Sequence, residues 1–401
     1  MTDPVSNPAR KTLLTVFGTR PEAIKMAPVV AALKQVPEFD VRVCVTAQHR
    51  EMLDQVLALF DITPDYDLNI MAPGQDLFDV TSRVLLGMRD VLKDCAPDMV
   101  LVHGDTTTCF SAGLAAFYAG VPVGHVEAGL RTGNMRAPFP EEANRSLVAP
   151  LCTLNFSPTR RASDNLLAEG RDPATIAVTG NTVIDALLEI SARVTDMPAA
   201  HWRELFGAKL FDRVNDSARQ TILITGHRRE NFGQGFRDLC GAIRDLAEQH
   251  SDWNFVYPVH LNPNVQVPVK ELLSGLDNVH LIEPLDYLPF VWLMNQCDLI
   301  LTDSGGVQEE GPSLGKPVLV MREVTERPEA LDAGTVRLVG TSRTQIVDGV
   351  TELLTNRAAY DAMARAINPY GDGKAARRIA ERLRQHFWGT GEFMAFDVER
   401  Q

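Results

Sequence analysis

The sequence predicts an α/β chain made of two doubly wound domains, each a parallel sheet covered by helices on both faces. Three observations carry this. The chain has 401 residues, too many for one ordinary core and enough for two domains of roughly 150–200 residues each. Short, nearly continuous apolar and β-branched runs alternate with helical patterns almost throughout, as strands buried on both faces do. Its composition, 45% hydrophobic and 23% charged, is that of a globular chain.

In order along the chain, LLTVF (13–17) reads as a strand followed by a helix at 21–35, and VRVCVTA (41–47) as a strand followed by a helix at 50–60. MVLVHGD (99–105) precedes a helix running through Ala119, and PVGHVEAG (122–129) follows. Residues 106–126 lack Asp, Glu, Lys and Arg and are long enough to span a bilayer. Gly120-Val121-Pro122 divides them into a buried helix and a buried strand instead. Further strands are expected at TILITG (221–226), NFVYPV (254–259), VHLIEP (279–284), DLILTDS (298–304) and PVLVM (317–321), with a helix at 235–249. The domain boundary is expected near Val178-Thr179-Gly180-Asn181, giving domains 1–178 and 179–374, with the polar segment 195–219 leading to the next strand. A last amphipathic helix, after Tyr370-Gly371-Asp372-Gly373, carries Ala376, Ile379, Ala380, Leu383 and Phe387 on one stripe. Two such domains are expected to leave a cleft at the carboxyl ends of their strands.

Charge and cysteines narrow the function classes. Lys and Arg number 39 against 52 Asp and Glu, so the net charge is 39 − 52 = −13. This argues against a nucleic-acid or anionic-membrane surface, but not against a small anion held by a local cluster of cations. Six cysteines at 44, 95, 109, 152, 240 and 297 form no CxxC pair, so a reduced cytosolic chain is expected, with no metal site and no disulfide framework. The first eleven residues hold no apolar h-region, so no signal peptide is expected.

Strand-end loops carry the candidate chemistry. Gly18-Thr19-Arg20-Pro21-Glu22 offers free N–H groups, the Arg20 guanidinium and Lys25 to a phosphate. Thr302-Asp303-Ser304-Gly305-Gly306 lets backbone amides approach an oxyanion, with the Ser304 hydroxyl beside them and Glu310 placed for a ribose hydroxyl. Asp303 or Ser304 as a plain N-cap is the alternative. Neither loop fits GxxxxGK[ST] or GxGxxG, which removes the sequence case for ATP hydrolysis or NAD. His227, between Gly226 and Arg228-Arg229, suits a phosphate grip and a proton donor. Asp105, Glu127, Glu141 and Glu142 supply acids near strand or loop ends, able to divide acid and base roles. Asp105 as the cap of the following helix, and Glu141 or Glu142 as first-turn acids, are the plainer readings.

Together these stretches resemble the non-hydrolysing UDP-N-acetylglucosamine 2-epimerases: GTRPEAIKMAP (18–28), TAQHREMLDQVL (46–57), HGDTTT (103–108), GHVEAGLRTG (124–133), PFPEEANR (138–145), TGNTVIDAL (179–187), TGHRREN (225–231), YPVHLNP (257–263), DYLPFVWLM (286–294), LTDSGGVQEE (301–310), GKPVLVMR (315–322) and TERPEA (325–330). They run in family order over essentially the whole chain. The resemblance implies two Rossmann-like domains facing a cleft, as in type B glycosyltransferases, with the last helix (residues 375–401) returning to the first domain. It implies a cytoplasmic homodimer that interconverts UDP-GlcNAc and UDP-ManNAc without NAD or metal, for bacterial surface polysaccharide. Arg20, His227, Ser304, Gly305, Gly306, Glu310 and Arg327 look like UDP ligands, with Leu285 and Phe290 beside uracil; Leu285 stands where other members often carry Gln. Lys25, Asp105, Glu127, Glu141 and Arg145 look like the sugar-facing group. Gln48, His49 and His260 match part of an allosteric UDP-GlcNAc site found in some members, with Glu51 where regulated forms commonly carry Gln.

The chemistry agrees with such a residue set. The C2 proton is not adjacent to a carbonyl, so a workable route eliminates UDP from C1 as that proton leaves, then adds UDP back after reprotonation on the opposite face. This needs a carboxylate base, an acid for the other face and a cationic grip on the diphosphate. Asp105, Glu127 and Glu141 are candidates for the first two, Arg20, His227 and Arg327 for the third. Which carboxylate serves which face stays open. An epimerase for another UDP-sugar, a hydrolysing relative and a type B glycosyltransferase are the competing readings.

Overall fold

The computed structural model describes residues 9–47 and 50–398. It falls into two units: one takes in the chain up to Ala186 and again from Tyr370, the other runs from Leu187 to Pro369.

The first unit holds a seven-stranded, all-parallel sheet: β1 Lys11–Phe17, β2 Phe39–Val45, β3 Tyr66–Asp67, β4 Met99–His103, β5 Val123–Val126, β6 Leu154–Ser157 and β7 Ile176–Val178, in the order β3-β2-β1-β4-β5-β6-β7. Strands β1, β4 and β5 read as apolar runs because both faces are covered, and Leu14, Val16, Val100 and Val102 lie in one core with Val84, Met88 and Ala112 of the flanking helices. The uncharged stretch 106–126 divides as expected, into the helix Thr107–Tyr118 and β5. No helix among the described residues is long and apolar enough to cross a membrane. The last helix, Ala375–Trp388, packs on the helix Arg20–Lys34. It buries Ala376, Ile379, Ala380 and Leu383, and Phe39 meets Phe387 and Trp388 at ring-centroid distances of 6.2 and 5.3 Å. Asp185 receives the backbone N–H groups of Ala375 and Ala376 at 3.1 and 2.9 Å, so a residue far back in the chain caps this helix.

The second unit holds a six-stranded parallel sheet: β8 Thr221–Thr225, β9 Asn254–Pro258, β10 Val279–Ile282, β11 Leu299–Thr302, β12 Val318–Val320 and β13 Val336–Leu338, in the order β10-β9-β8-β11-β12-β13. Its core joins Ile222, Ile224, Phe255, Leu301 and Leu319 to Phe236, Leu239, Ile243 and Ile346. The segment 195–219, expected as a polar connection, contains the helices Ala199–Phe206 and Ala208–Val214. Trp202 is the reason: it is buried in a stack on Trp292 at 5.2 Å, an anchor that outweighs its polar neighbours.

Candidate active site

In each sheet the strand order reverses once, between β1 and β4 and between β8 and β11. Such a switch point parts the loops at the strands' carboxyl ends and opens a crevice there. Both candidate groups lie in these loops.

In the first unit, Thr19 caps the helix Arg20–Lys34 through a capping box with Glu22. The buried Glu22 carboxyl also accepts from Gly18 N at 3.0 Å and Thr106 Oγ1 at 2.6 Å. Burial raises its pKa against those bonds. The loop after β1 is thereby tied to the loop after β4. Arg20, at the start of the helix, is half-buried, and its guanidinium makes no hydrogen bond or ion pair among the described residues. One turn on, Lys25 pairs with Glu127 at the end of β5. Asn181 Nδ2 donates to the same oxygen, Glu127 Oε1, at 3.0 Å, and His103 Nε2 stands 3.5 Å from Oε2. Glu127 has φ +65°, a left-handed conformation that a side chain adopts at a cost and that is found where the surroundings hold it.

Asp105 follows Gly104, whose φ is also +65°. Arg145 donates to Asp105 at 3.1 Å and to Glu142 at 2.7 Å. Burial and the neighbouring Glu127 charge push the Asp105 pKa up, while Arg145 and Lys25 pull it down less strongly. Burial also acts to raise Glu142, but the N–H groups of Thr132 and Gly133 and the Arg145 charge leave it below the ordinary carboxylate value. Glu141 is half-buried in the first turn of the helix Glu141–Val148, and its charge reaches Asp105. The plain N-cap reading of Asp105 does not hold, because Thr106 caps the helix Thr107–Tyr118 by accepting from Cys109 N at 3.1 Å.

In the second unit, Ser304 occupies the N-cap of the helix Gly305–Ser313 but makes no capping bond with its side chain. A Cβ at Gly306 would meet only Glu310 Oε2, at 3.9 Å, so the helix N-terminus stays open to an approaching anion. The fully buried Asp303 is not a cap. Its Oδ2 accepts from the backbone N–H groups of His227 and Arg228 at 2.9 and 2.8 Å and fixes the loop after β8. Burial lowers the His227 pKa, with Asp303 opposing and His260 and Arg228 adding to the fall. His260 stacks on His227 with ring centroids 5.2 Å apart. Arg327 Nε donates to Glu309 at 2.8 Å, and its Nη1 lies 3.3 Å from Glu326. Despite burial, Arg327 and Arg322 hold Glu326 at about 2. Glu310 accepts from Tyr287 Oη at 2.8 Å. Leu285 and the half-buried Phe290 lie to either side of Tyr287 at the start of the helix Tyr287–Gln296.

The structure thus joins Lys25, Asp105, Glu127 and Arg145 through direct contacts in one unit. In the other it gathers His227, Ser304, Gly305, Gly306 and Arg327 around one sheet's switch point. Gln48 and His49 lie outside the described residues. Sequence reasoning passed over His103, Asn181, Glu22 and Tyr287 as site residues. His103 lay next to a quoted acid, in HGD, whereas Asn181 reaches Glu127 across 54 positions with no local signal.

Comparison with known proteins is consistent with this arrangement. A family model described as UDP-N-acetylglucosamine 2-epimerase matches residues 31–384. The UDP-N-acetylglucosamine 2-epimerase of Yersinia pestis is 59% identical over 376 residues, covering 93% of this chain and 98% of its own. That of Escherichia coli K12 is 59% identical over 374 residues, with the same coverage of 93% and 98%. The crystal structure of UDP-GlcNAc 2-epimerase from Neisseria meningitidis bound to UDP-GlcNAc superposes with a TM-score of 0.85 at 52% identity, over 93% of this chain and 100% of that one.

Proposed function

The chain belongs to the UDP-N-acetylglucosamine 2-epimerase family, and on that premise we propose that it interconverts UDP-GlcNAc and UDP-ManNAc by eliminating UDP and adding it back through 2-acetamidoglucal. A base takes the C2 proton, the C2–H electron pair becomes the C1=C2 double bond, and the C1–O bond breaks to release UDP within the site. A proton then adds to C2 from the opposite face, and a UDP oxygen re-forms the bond to C1.

One observation supports this reading most directly: two neighbouring carboxylates stand in different environments. Glu127 pairs with Lys25 and accepts from Asn181, which favours the ionised form suited to a base. Asp105 is pushed toward the protonated form by burial and by Glu127, as a donor on the other face requires. Arg145 orients Asp105. The Ser304 hydroxyl, the amides of Gly305 and Gly306, His227, Arg20 and Arg327 suit the diphosphate, whose negative charge grows as C1–O breaks. Glu310 suits the ribose, and Leu285 and Phe290 the uracil. A place in bacterial surface-polysaccharide synthesis belongs to the same reading, as does a cytoplasmic homodimer. Exposed Leu86, Phe117 and Tyr118 beside an apolar groove of about 770 Å³ support self-association. Light scattering that finds only the 44.2 kDa monomer overturns the dimer.

Incubation with UDP-GlcNAc in D2O, followed by NMR, tests the chemistry. UDP-ManNAc carrying deuterium at C2 is expected, with little free sugar. Free ManNAc as the main product shows a hydrolysing enzyme, and absence of C2 exchange refutes the elimination.

A further inference from the structure

His103 ends β4, is fully enclosed, and has no hydrogen-bond partner among the described residues on either ring nitrogen. A buried polar group left unpaired is costly, so the enclosure of both nitrogens calls for a reason. Its strand neighbour gives the contrast. His125 on β5 places Nε2 2.7 Å from the Gly104 carbonyl oxygen; a carbonyl only accepts, so that nitrogen carries the hydrogen. In the β4–β5 register His103 lies opposite Val126, one residue before Glu127. The left-handed turn at Glu127 brings its carboxylate back over this strand pair, with Oε2 3.5 Å from His103 Nε2. Lys25 and Asn181 both address the other oxygen, Oε1.

We propose that His103 is a positioning residue for the epimerisation, donating its Nε2–H to Glu127 Oε2 and so fixing the plane of the carboxylate that Lys25 and Asn181 hold from the other oxygen. A gap of 3.5 Å is slightly long for that bond, and such catalytic contacts commonly tighten when substrate is bound. With the hydrogen on Nε2, the ring is neutral and the buried Nδ1 carries no proton. Burial brings its pKa to about 3, with Glu127 opposing and Lys25 and His125 reinforcing the fall. The two histidines form a crossed brace: His125, on the Glu127 strand, holds the Gly104 turn that presents Asp105, while His103, on the Asp105 strand, holds Glu127.

The assignment rests on Glu127 being a reacting carboxylate, so the variants are read beside Glu127→Gln. His103→Leu is expected to lower kcat about 10- to 100-fold, the weight of one hydrogen bond to a charged group, with KM and UDP affinity within about twofold. Losing a donor to the carboxylate also moves the limb of the pH–rate profile that Glu127 governs to higher pH by about one unit. His103→Gln, which keeps an N–H near the Nε2 position, restores most of kcat. Nitrogen-15 NMR of ring-labelled histidine in the unaltered protein is expected to show a neutral Nε2–H tautomer for His103 at pH 7. An Nδ1–H tautomer or an imidazolium overturns the proposal even if His103→Leu does not fold. So does a His103→Leu enzyme with unaltered kcat and pH profile while Glu127→Gln is inactive. A fully active Glu127→Gln removes the underlying reading instead.

Discussion

Asp303 has no exposed surface, yet three donors converge on one of its oxygens: the backbone N–H groups of His227 and Arg228 at 2.9 and 2.8 Å, and Asn231 Nδ2 at 3.3 Å. Asp303→Ala leaves the two backbone donors unpaired, while Asn231 Nδ2 keeps the Met321 carbonyl at 3.1 Å; this costs about 1–3 kcal/mol and frees the loop that presents His227. UDP affinity is expected to fall roughly tenfold, one decade being about 1.4 kcal/mol, with Asp303→Asn in between because its amide oxygen still accepts. Denaturant melts and titration calorimetry with UDP check this; lost stability with unchanged UDP affinity refutes the role of the loop. The residue scale is also where legibility divides. Asp105, Glu127, His227 and Ser304 were readable because a charged or hydroxylic residue where an apolar strand ends has few structural duties, and Lys25 because it lies in the helix that the loop after β1 opens. Their partners were not readable. Lys25 finds Glu127 across 102 positions and Asp303 finds His227 across 76, distances at which spacing carries no signal. A plain N-cap was therefore the alternative that the sequence offered for Asp303, and its hold on the loop after β8 was not visible.

Strands were readable as elements where a wholly apolar run marked them, as at the three-residue β12, and unreadable where the strand was short and its run brief or mixed. β3 has two residues, β7 and β13 three each, and β6 reads LNFS; none gives a period to recognise. The last helix was legible because its stripe repeats over four turns, but not its cap by Asp185, which comes from 190 positions away. The loop after β1 combines both cases. Gly18, Pro21 and a first-turn acid announce a helix start, but why Gly must stand at 18 shows only in three dimensions. A Cβ there would lie 1.9 Å from Thr46 Oγ1 and 2.7 Å from Thr108 Oγ1, two hydroxyls already bonded to each other at 3.0 Å. Gly18→Ala must therefore push β1, β2 and the helix Thr107–Tyr118 apart. Overpacking of this kind costs about 1–3 kcal/mol. Because the same loop presents Arg20 and is bonded to Thr106 through Glu22, kcat/KM is expected to fall along with the melting temperature. A variant with unchanged melting shows that the strand ends yield more easily than their packing indicates.

At the scale of the whole molecule, buried titratable groups in both units set how stability follows pH. Burial lowers His103 to about 3, and His125 and His280 to about 4, from an ordinary 6.5. Between those limits the unfolded chain binds protons that the folded one refuses, so these groups make stability fall as pH falls from 6.5 toward 3–4. Asp185 acts with the opposite sign. Burial raises it from 3.8 to about 6, so the folded state takes up its proton first and gains stability as pH falls from 6 toward 3.8. Glu22 and Asp105, also raised chiefly by burial, share that sign. The two sets oppose each other down to about 4, and the approach to the isoelectric point near 5.2 relieves the repulsion of an acidic chain over the same range. Below 4 the raised acids have nothing more to contribute. His103 remains, and so does Glu326, which the arginines hold at about 2 against an ordinary 4.5 and whose stabilisation is lost as pH falls between those values. Stability is thus expected to change little from pH 6.5 to 4.5 and to drop steeply below about 4. Calorimetric melting at pH 7, 5.5, 4.5 and 3.5 checks this. A steepest loss between 6.5 and 4.5 instead means that the histidines act without the counterweight of Asp185, and Asp185→Asn then leaves the curve in that range unchanged.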